Sequence, residues 1–424
     1  MQDKKVLVIS YVALSSSTPN GRTMKSLLEG IKKENIFLFC CHGIPDEDAA
    51  CRTYKVTNKN ALNSVFRRKN IGSEIDVTKL KLDNYAVSDY RNGAKKSWKY
   101  LMKEFIWSIG HWKNKVYKWI EELDVDYILF MYTDSPSLQN FVNNLSKKIN
   151  KPVIVYSCED YYFKSYNYID FNDNSLFFKK YHKMSKKASK KLFKGVAGLI
   201  TNSDNLGLLY KKEFDINRVE TIMMASNIDF VRNYDILPVE KMKIVYAGAI
   251  GSYRSNALIE IADSLGKIDN RLSLDVYGRV DDKNVLEQFS KCDFLNYKGF
   301  VLYEEVIEIM HSASLLIETV NNDEYIEKDK KFGFSTKYAD CFACGTPLLV
   351  YAPAGIIETK FVVENSCAFV ATKREDLKLI LENALFNLGD RKRFVQKSIE
   401  VTYKYFNKEN NIAKYNRIVE SVLK

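Results

Sequence analysis

Four polar residues stand close together in the second half of the chain: Ser335, Thr336, Lys337 and Asp340. The residues from Lys337 to Ala343 contain no helix breaker, so they predict a short helix whose first main-chain amides lack partners. Unpaired amides, two hydroxyls and an ammonium group are suited to holding a diphosphate. Asp340 lies about one helical turn beyond Lys337, where a carboxylate suits ribose hydroxyls. The stretch therefore predicts a site for a nucleoside diphosphate.

The residues that follow must position this site. Gly345 and Pro347 predict the end of the helix, and the apolar run Leu348–Tyr351 predicts a buried strand after it. A second interpretation stays open, because Gly, Pro and small residues at these spacings also serve packing. In that case the segment is a capped amphipathic helix and a strand without a ligand.

The segment from Ser335 to Pro347, STKYADCFACGTP, resembles the donor-site signature of GT-B glycosyltransferases, above all family 4, a retaining group that uses nucleotide sugars. The resemblance implies an α/β chain with two facing Rossmann-like, doubly wound domains. It implies that Asp340 stands where the family has a ribose-binding glutamate. Phe332 replaces the first acid of the family's glutamate pair, so both a retaining mechanism and an inverting one stay open.

The chain is long enough for two domains. Its 424 residues exceed what one ordinary core organises, and Pro238 marks a linker between Tyr234 and Lys241. We expect an acceptor-binding domain over residues 1–236 and a donor-binding domain over residues 242–405. By resemblance, a helix within residues 406–424 packs back on the first domain.

A second glycine-bearing loop follows the predicted strand Lys243–Ala247 and leads into a predicted helix from Ser255. It carries Gly248, Gly251 and Arg254. Glycines let a backbone approach phosphate closely, and an arginine at a helix entrance offers charge-assisted hydrogen bonds. The loop resembles the donor-phosphate loop of the family.

The resemblance supplies further donor-site residues. It places Gly278 and Gly299 after two strands of the second domain, and it places the backbone of Phe300 and Val301 against the nucleobase. The charged segment Asn321–Lys331 has the composition of a mobile loop over the donor.

The first half has its own glycine-bearing loop, Ser15–Arg22, between the strand Val6–Ser10 and a helix predicted from Thr23. In the GT-B family this loop faces the cleft, so Asn20 and Gly21 are expected, by resemblance, to border donor and acceptor. An ordinary strand-to-helix turn fits the same residues.

Asp160 follows the predicted strand Val153–Cys158, at the edge of a parallel sheet where ligands bind. It could act as general base on an acceptor hydroxyl, or it could cap the next segment. Together with Lys337 and Arg254 it completes the predicted catalytic set.

We expect neither a metal nor a cofactor beside the donor. Lys337, Arg254 and a helix N-terminus supply the charge that a cation supplies elsewhere. The pair Asp124 and Asp126 precedes its strand, at the opposite edge from the ligand, and predicts an ordinary turn. Cys341 and Cys344 lack the further ligands that a zinc site needs.

The net charge of +11 favours an anionic partner: a nucleotide, an anionic membrane surface or nucleic acid. No recognised nucleic-acid module occurs, which argues against the last of these. The segment Trp98–Leu123 has apolar residues at helical spacing with lysines between them, and the segment Lys179–Lys194 is strongly basic. Contact with a membrane fits both segments. The alternative for Trp98–Leu123 is a helix packed in the core, which we favour, and the alternative for Lys179–Lys194 is a solvated helix face.

Together with these patterns, the resemblance implies a metal-independent hexosyltransferase that moves a sugar from a nucleotide sugar to a carbohydrate or lipid-linked acceptor, in cell-surface polysaccharide or glycolipid synthesis. A nucleotide-sugar epimerase of the same fold and a non-catalytic anion- or membrane-binding protein are the alternatives. The start of the chain has no cleavage-site pattern and no apolar run is long enough to span a bilayer. We therefore expect a cytoplasmic protein, with peripheral attachment to the inner face of the plasma membrane open.

Overall fold

The computed structural model describes residues 3–16, 18–66, 70–79, 96–169, 175–226, 228–280 and 282–424. Asn227 lies outside the described residues. By resemblance it stands where the GT-B family often has an Asn-Gly step before the linker. The chain forms two compact units. The first comprises Met1–Met224 with Lys408–Lys424, and the second comprises Ala225–Asn407.

The first unit is built on a sheet of eight strands in the order β4-β3-β2-β1-β5-β6-β7-β8. Every neighbouring pair is parallel except β3 and β4. The central strands are mainly apolar and mostly buried, as expected for strands covered on both faces. The strands are β1 (Val6–Val12), β2 (Ile36–His42), β3 (Arg52–Lys55), β4 (Ser73–Ile75), β5 (Tyr127–Met131), β6 (Val153–Ser157), β7 (Gly198–Thr201) and β8 (Val219–Thr221).

In the described part of the first unit, α-helices connect these strands. They are α1 (Pro19–Leu28), α2 (Asn58–Val65), α3 (Ser97–Ile109), α4 (Trp112–Glu121), α5 (Pro136–Ile149), α6 (Leu176–Phe193) and α7 (Asp204–Phe214). The elements β3, α2 and β4 lie between Ile44 and Tyr100. The sequence there is irregular and rich in Asn, Lys and Arg, and it predicted no strand or helix.

Helix α1 begins four residues earlier than its sequence predicted. The Thr18 side chain accepts a hydrogen bond from the amide of Gly21, and Pro19 occupies the first turn, so cap and proline start the helix there. Asn20 and Gly21 are therefore in the first helical turn and not in the preceding loop. A side chain at Gly21 would meet the main chain of Ala13 and Ser15 at 2.6 Å, so close packing requires this glycine.

The predicted helix Trp98–Leu123 is two helices, α3 and α4, separated at Gly110. A side chain at Gly110 would lie 2.5 Å from Ser64 Oγ and 2.9 Å from Trp112 Cδ1. Helix α4 buries Trp112 and its apolar stripe in the core, as predicted. Helix α3 does not, and the prediction of one core-packed stripe is wrong for that half.

The second unit is built on a sheet of six parallel strands in the order β11-β10-β9-β12-β13-β14. This is the Rossmann order, in which the chain winds outwards in both directions from β9 and β12. Ligands of such sheets bind beyond the carboxyl ends of the two strands at this switch point. The strands are β9 (Ile244–Ala247), β10 (Leu274–Tyr277), β11 (Leu295–Gly299), β12 (Leu315–Thr319), β13 (Leu348–Tyr351) and β14 (Phe369–Ala371).

The helices of the second unit are α8 (Ser252–Ile268), α9 (Lys283–Ser290), α10 (Tyr303–Ser312), α11 (Glu324–Asp329), α12 (Lys337–Ala343), α13 (Ile357–Asn365), α14 (Arg374–Phe386) and α15 (Leu388–Tyr405). Helix α12 has the bounds that the sequence predicted. The charged segment predicted as a mobile loop instead contains α11, because the Asp323 carboxylate accepts from the amide of Ile326 and caps a helix.

The last helix, α16 (Lys408–Leu423), belongs to the first unit. The Tyr415 hydroxyl is hydrogen-bonded to that of Tyr127 at 2.9 Å, and Asn411 Nδ2 donates to the Met223 carbonyl at 2.6 Å. The segment before β9 packs on the second unit, where the Val231 amide donates to the Cys344 carbonyl. The boundary expected at residue 236 therefore lies inside the second unit.

Candidate active site

The carboxyl ends of β9 and β12 bring together several of the residues singled out in the sequence. The loop with Gly248 and Arg254 follows β9, Glu318 is the penultimate residue of β12, and Lys337 begins α12. These elements are far apart in the sequence and meet only because β9 and β12 are neighbours in the sheet. The site thus lies at the edge where an open parallel sheet binds ligands.

Lys337 is the centre of this group. Its Nζ lies 2.7 Å from Glu318 Oε1, donates to the Tyr246 hydroxyl at 3.2 Å, and sits 4.4 Å from the centre of the Tyr246 ring. An ideal Cβ on Gly248 would come within 2.7 Å of the same Nζ, so glycine leaves room for the ammonium group. An ammonium group has three N–H donors, and Glu318 and Tyr246 use two of them.

The charge of Lys337 is stabilised by this environment. Burial lowers the pKa of its amine, but the Glu318 carboxylate and the Tyr246 ring outweigh burial and hold that pKa above the ordinary value. Lys337 therefore remains a cation over the whole physiological pH range. A cation held in a partly desolvated site interacts strongly with phosphate oxygens.

Arg254 is buried, and in this structure it holds the loop after β9. Its Nε donates to the Thr319 carbonyl at 2.9 Å and its Nη1 to the Ala249 carbonyl at 3.1 Å. Its guanidinium carbon lies 4.5 Å from the centre of the Tyr253 ring. The guanidinium group that was predicted to bind phosphate therefore also connects the loop after β9 to the end of β12. Arg254 lies in the first turn of α8, because that helix begins at Ser252 and Gly251 is its N-cap.

Three glycines pack the loops of β9, β10 and β11 together. The Gly248 amide donates to the Tyr277 carbonyl at 2.9 Å, and the Gly278 amide donates to the Gly299 carbonyl at 2.8 Å. A Cβ on Gly278 would lie 1.9 Å from the Gly248 carbonyl oxygen, so no side chain fits there. The main chains of these loops therefore pack directly against each other at the edge of the sheet.

Phe300 and Val301 follow β11 directly. The Phe300 ring is 66% exposed, which leaves it available to a planar ligand. Gly299 has a φ of +84°, and an added Cβ there would have no neighbour within 4 Å. The glycine is therefore required by backbone conformation and not by lack of space.

Asp340 is buried one turn into α12. Its Oδ1 accepts from the Ser226 hydroxyl at 2.8 Å and its Oδ2 accepts from the Tyr303 hydroxyl at 3.1 Å. Tyr303 starts α10, so this carboxylate links α12, α10 and the segment that enters the second unit. Two hydroxyl donors on different segments of the chain thus fix the position of the Asp340 carboxylate.

Ser335 and Thr336 immediately precede α12. Thr336 makes no side-chain cap, and the Ser335 amide donates to Glu358 Oε1 at 2.9 Å. That amide, which the sequence assigned to a diphosphate, therefore has a partner in this structure. Glu358 lines a small cavity together with Arg254, Glu318, Ser335 and other residues of the second unit.

Glu358 is itself unusual. It is 3% exposed, and within the described residues its Oε2 has no hydrogen-bond partner. Burial raises the pKa of its carboxyl group, although the nearby Lys330 opposes that effect. The protonated form is therefore favoured relative to an exposed glutamate.

Glu318, Glu358 and Tyr246 were missed in the sequence. A signal for Glu318 was present, because a carboxylate inside the apolar strand LLIET needs a buried partner. Its position at the carboxyl end of β12 pointed to the ligand edge. Nothing in the sequence near Glu358 indicates that it accepts from Ser335.

The remaining predicted residues, Asp160, Asn20 and Gly21, belong to the first unit. Asp160 is buried and lies 3.5 Å from Nζ of Lys164, which is also buried and also contacts Glu159. Its carbonyl accepts from the Lys164 amide, so Asp160 begins a tight turn after β6.

No group of three or more potential metal ligands among His, Cys, Asp and Glu occurs within the described residues. Asp124 and Asp126 lie in the turn before β5, as predicted, and Asp126 accepts from the Lys5 amide at 2.8 Å. Cys341 and Cys344 are buried free thiols on and just after α12.

The fold is similar to solved glycosyltransferase structures. Anabaena Alr3699/HepE in complex with UDP aligns with a TM-score of 0.63 and 10% identity, over 98% of this chain and 100% of that chain. Sucrose-phosphate synthase from Thermosynechococcus elongatus aligns with a TM-score of 0.63 and 12% identity, over 98% of both chains. WaaG, a glycosyltransferase involved in lipopolysaccharide biosynthesis, aligns with a TM-score of 0.59 and 11% identity, over 97% of this chain and 99% of that one.

No family model and no curated protein matches the sequence. At these identities the likeness concerns the fold. The chain has an α/β fold with two Rossmann-like units, each built on a largely parallel sheet, and this fold matches the GT-B neighbours.

Proposed function

We propose that the protein is a glycosyltransferase that binds a nucleotide sugar at the carboxyl edge of the second sheet. The observation that carries this proposal is the Lys337 ammonium group, held by Glu318 and Tyr246 beside the glycine loop of β9. A fixed, partly buried cation beside glycine main chain, at the switch point of a Rossmann sheet, is suited to a diphosphate. Anabaena HepE, which has a similar fold, was solved in complex with UDP and in complex with UDP-glucose.

The residues have distinct roles in this proposal. Lys337 interacts with the diphosphate through its remaining N–H donor and stabilises the charge that develops on the leaving group. Asp340, fixed by Ser226 and Tyr303, accepts from the ribose hydroxyls. The exposed Phe300 ring and the backbone at Val301 contact the base. Arg254 holds the phosphate loop and adds positive charge, and no metal is required.

Acceptor binding is assigned to the first unit, and the acceptor to the carbohydrates or lipid-linked carbohydrates of cell-surface polysaccharide or glycolipid synthesis. The fold of WaaG, a lipopolysaccharide enzyme, supports that class. The resemblance to family 4 favours retention of the anomeric configuration. The ion pair between Asp160 and the buried Lys164 favours a positioning role for Asp160 over a role as general base.

The first test is ligand binding. The melting temperature is measured with UDP, GDP, ADP and CDP, since a ligand that binds the folded state raises it. At least one of these should raise it in the native protein, and the shift should disappear in Lys337→Ala/Glu318→Gln, which removes the ammonium group without leaving a buried carboxylate unpaired. Lys360→Ala, an exposed lysine on α13, is the matched control. Absence of any shift in the native protein would refute the nucleotide site.

A second test separates the enzyme classes. The matching nucleotide sugar is incubated with and without membrane lipid extract, and its products are resolved by chromatography and NMR. Release of the nucleoside diphosphate with transfer to acceptor supports the transferase and shows the anomeric outcome. Conversion of the sugar while it stays on the nucleotide indicates the epimerase instead, and nucleotide binding without turnover indicates a binding protein.

A further inference from the structure

Helix α3 presents four large apolar side chains outward. Trp98, Met102, Phe105 and Ile109 are 46%, 50%, 56% and 45% exposed. Spaced three and four residues apart, they fall within about 60° of the helix circumference. A surface helix ordinarily buries such a stripe, so the arrangement is the reverse of the usual one.

The opposite side of α3 explains this orientation. It buries Glu104, whose carboxylate accepts from the Ser135 hydroxyl at 2.8 Å and from the Ser137 amide at 2.9 Å. Glu104 thus caps the N-terminus of α5, and Trp107 Nε1 donates to Asn58 at the start of α2. These polar contacts fix which side of α3 faces inward. The outward orientation of the apolar stripe therefore follows from these contacts.

The helices on both sides of α3 extend the exposed apolar area. α2 and α6 each pack against α3. Leu62 and Phe66, on and just after α2, are 42% and 63% exposed, and Leu176 and Phe177 at the start of α6 are 77% and 52% exposed. We call these residues, with the four on α3, the apolar face. Isolated exposed apolar residues are ordinary, but eight large ones on or just after three helices that pack together indicate an interaction surface.

The solvent side of α6 continues this surface with positive charge. Starting from Leu176, exposed lysines recur on the same side of the helix, and we call them the lysine face: Lys180, Lys183, Lys187, Lys190 and Lys191. The helix contains seven lysines and no acidic residue. Within the described part of the chain, none of the lysine face makes an ion pair.

We propose that the apolar face and the lysine face together dock the first unit onto an anionic lipid bilayer. The apolar side chains enter the headgroup region while the lysines contact acidic headgroups. A bilayer is favoured as the occupant because it requires this combination, large aromatic and aliphatic side chains next to unpaired lysines. A second copy of the chain would place two lysine faces close together, which repels. Every helix within the described residues is too short or too polar to span a bilayer. This inference stands independently of the donor site, which belongs to the second unit.

The test is vesicle co-sedimentation of the full chain. Vesicles of phosphatidylcholine mixed with the anionic lipid phosphatidylglycerol are compared with vesicles of pure phosphatidylcholine. The native protein should bind the anionic vesicles, more weakly at high salt, and bind the neutral ones poorly. Met102→Gln/Phe105→Gln should weaken binding at least tenfold by removing apolar contact. Lys183→Gln/Lys187→Gln/Lys190→Gln should weaken it by at least as much, at roughly fivefold per charge.

Matched controls lie on the second unit. Val363→Gln/Leu379→Gln removes two equally exposed apolar residues, and Lys267→Gln/Lys283→Gln/Lys360→Gln removes the same charge from exposed positions. Both controls should bind like the native protein. Failure of the native protein to bind anionic vesicles overturns the proposal. So does equal loss in the controls, or a dimer in light scattering that Met102→Gln/Phe105→Gln dissociates, because the face would then be an interface between two copies.

Discussion

Lys337 is the residue on which the donor site depends. Removal of its ammonium group should lower kcat roughly 100-fold or more, the usual effect of losing one preorganised charge at a leaving group. Lys337→Ala alone also leaves the Glu318 carboxylate buried without its partner, which should lower the melting temperature. Lys337→Ala/Glu318→Gln should recover the melting temperature but not kcat. Recovery of both in the double variant would mean that Lys337 is structural.

Glu318 should set the pH range over which Lys337 is charged. With Glu318 present the pKa of the Lys337 amine is raised, so donor affinity persists as the pH rises toward that pKa. In Glu318→Gln burial is no longer opposed by a carboxylate, and the pKa falls. The alkaline limb of the pH profile of kcat/KM should therefore move to lower pH, while Glu318→Asp should restore it in part. An unchanged limb, with donor binding intact, would show that Glu318 does not control the lysine.

Glu358 should make the second unit less stable as the pH rises. Its folded-state pKa lies above the ordinary value of 4.5, so above that value the unfolded chain releases this proton first. The stability contributed by the buried neutral acid is present below about pH 4.5 and is lost as the pH rises through the folded pKa. Glu358→Gln should therefore gain melting temperature relative to the native protein between pH 4 and pH 8. A constant difference across that range would contradict the prediction.

The individual residues show where a sequence is informative. Lys337 and Asp340 could be identified because they lie in one contiguous motif. Glu318 could not be paired with Lys337, because β12 and α12 approach only through the order of the strands in the sheet. The same holds for Glu358 and the amide of Ser335, whose contact depends on how α13 starts.

At the level of elements, the end of α12 is the most constrained turn of the second unit. Gly345 has a φ of +76°, and a Cβ there would lie 1.7 Å from the Val231 carbonyl oxygen. Gly345→Ala should cost about 3 kcal/mol, because left-handed backbone strain and overpacking add. Gly299→Ala, with φ +84° and open space, should cost only about 1 kcal/mol. Urea unfolding measures both, and similar costs would show that packing against Val231 contributes nothing.

The elements also show what periodicity can and cannot predict. Helix α12 was predicted to the residue, since Gly345 and Pro347 end it unambiguously. The apolar period of α3 was just as clear, yet it did not indicate which face is buried. That choice is made by Glu104, a polar residue that caps α5 from a distance, and not by the apolar residues themselves.

At the scale of the whole molecule, the chain passes twice between the two units, and the contribution of its last segment to stability can be tested. The chain leaves the first unit after Met224 and returns to it at Lys408. Truncation before Lys408 should lower the melting temperature of the first unit, because it removes Tyr415 from its buried partner Tyr127 and uncovers the apolar edge beside Gly198. The nucleotide-induced shift of the second unit should survive. Loss of nucleotide binding with an unchanged first unit would be the opposite of this expectation.

The division of the chain carries a practical consequence for engineering. The second unit, Ala225–Asn407, is one continuous segment that is inserted into the sequence of the first unit. Exchanging Ala225–Asn407 at its two junctions, 224/225 and 407/408, would replace the donor-binding residues of the second unit. The lipid-facing surface of the first unit would stay unchanged. Donor choice and place of action could then be recombined separately.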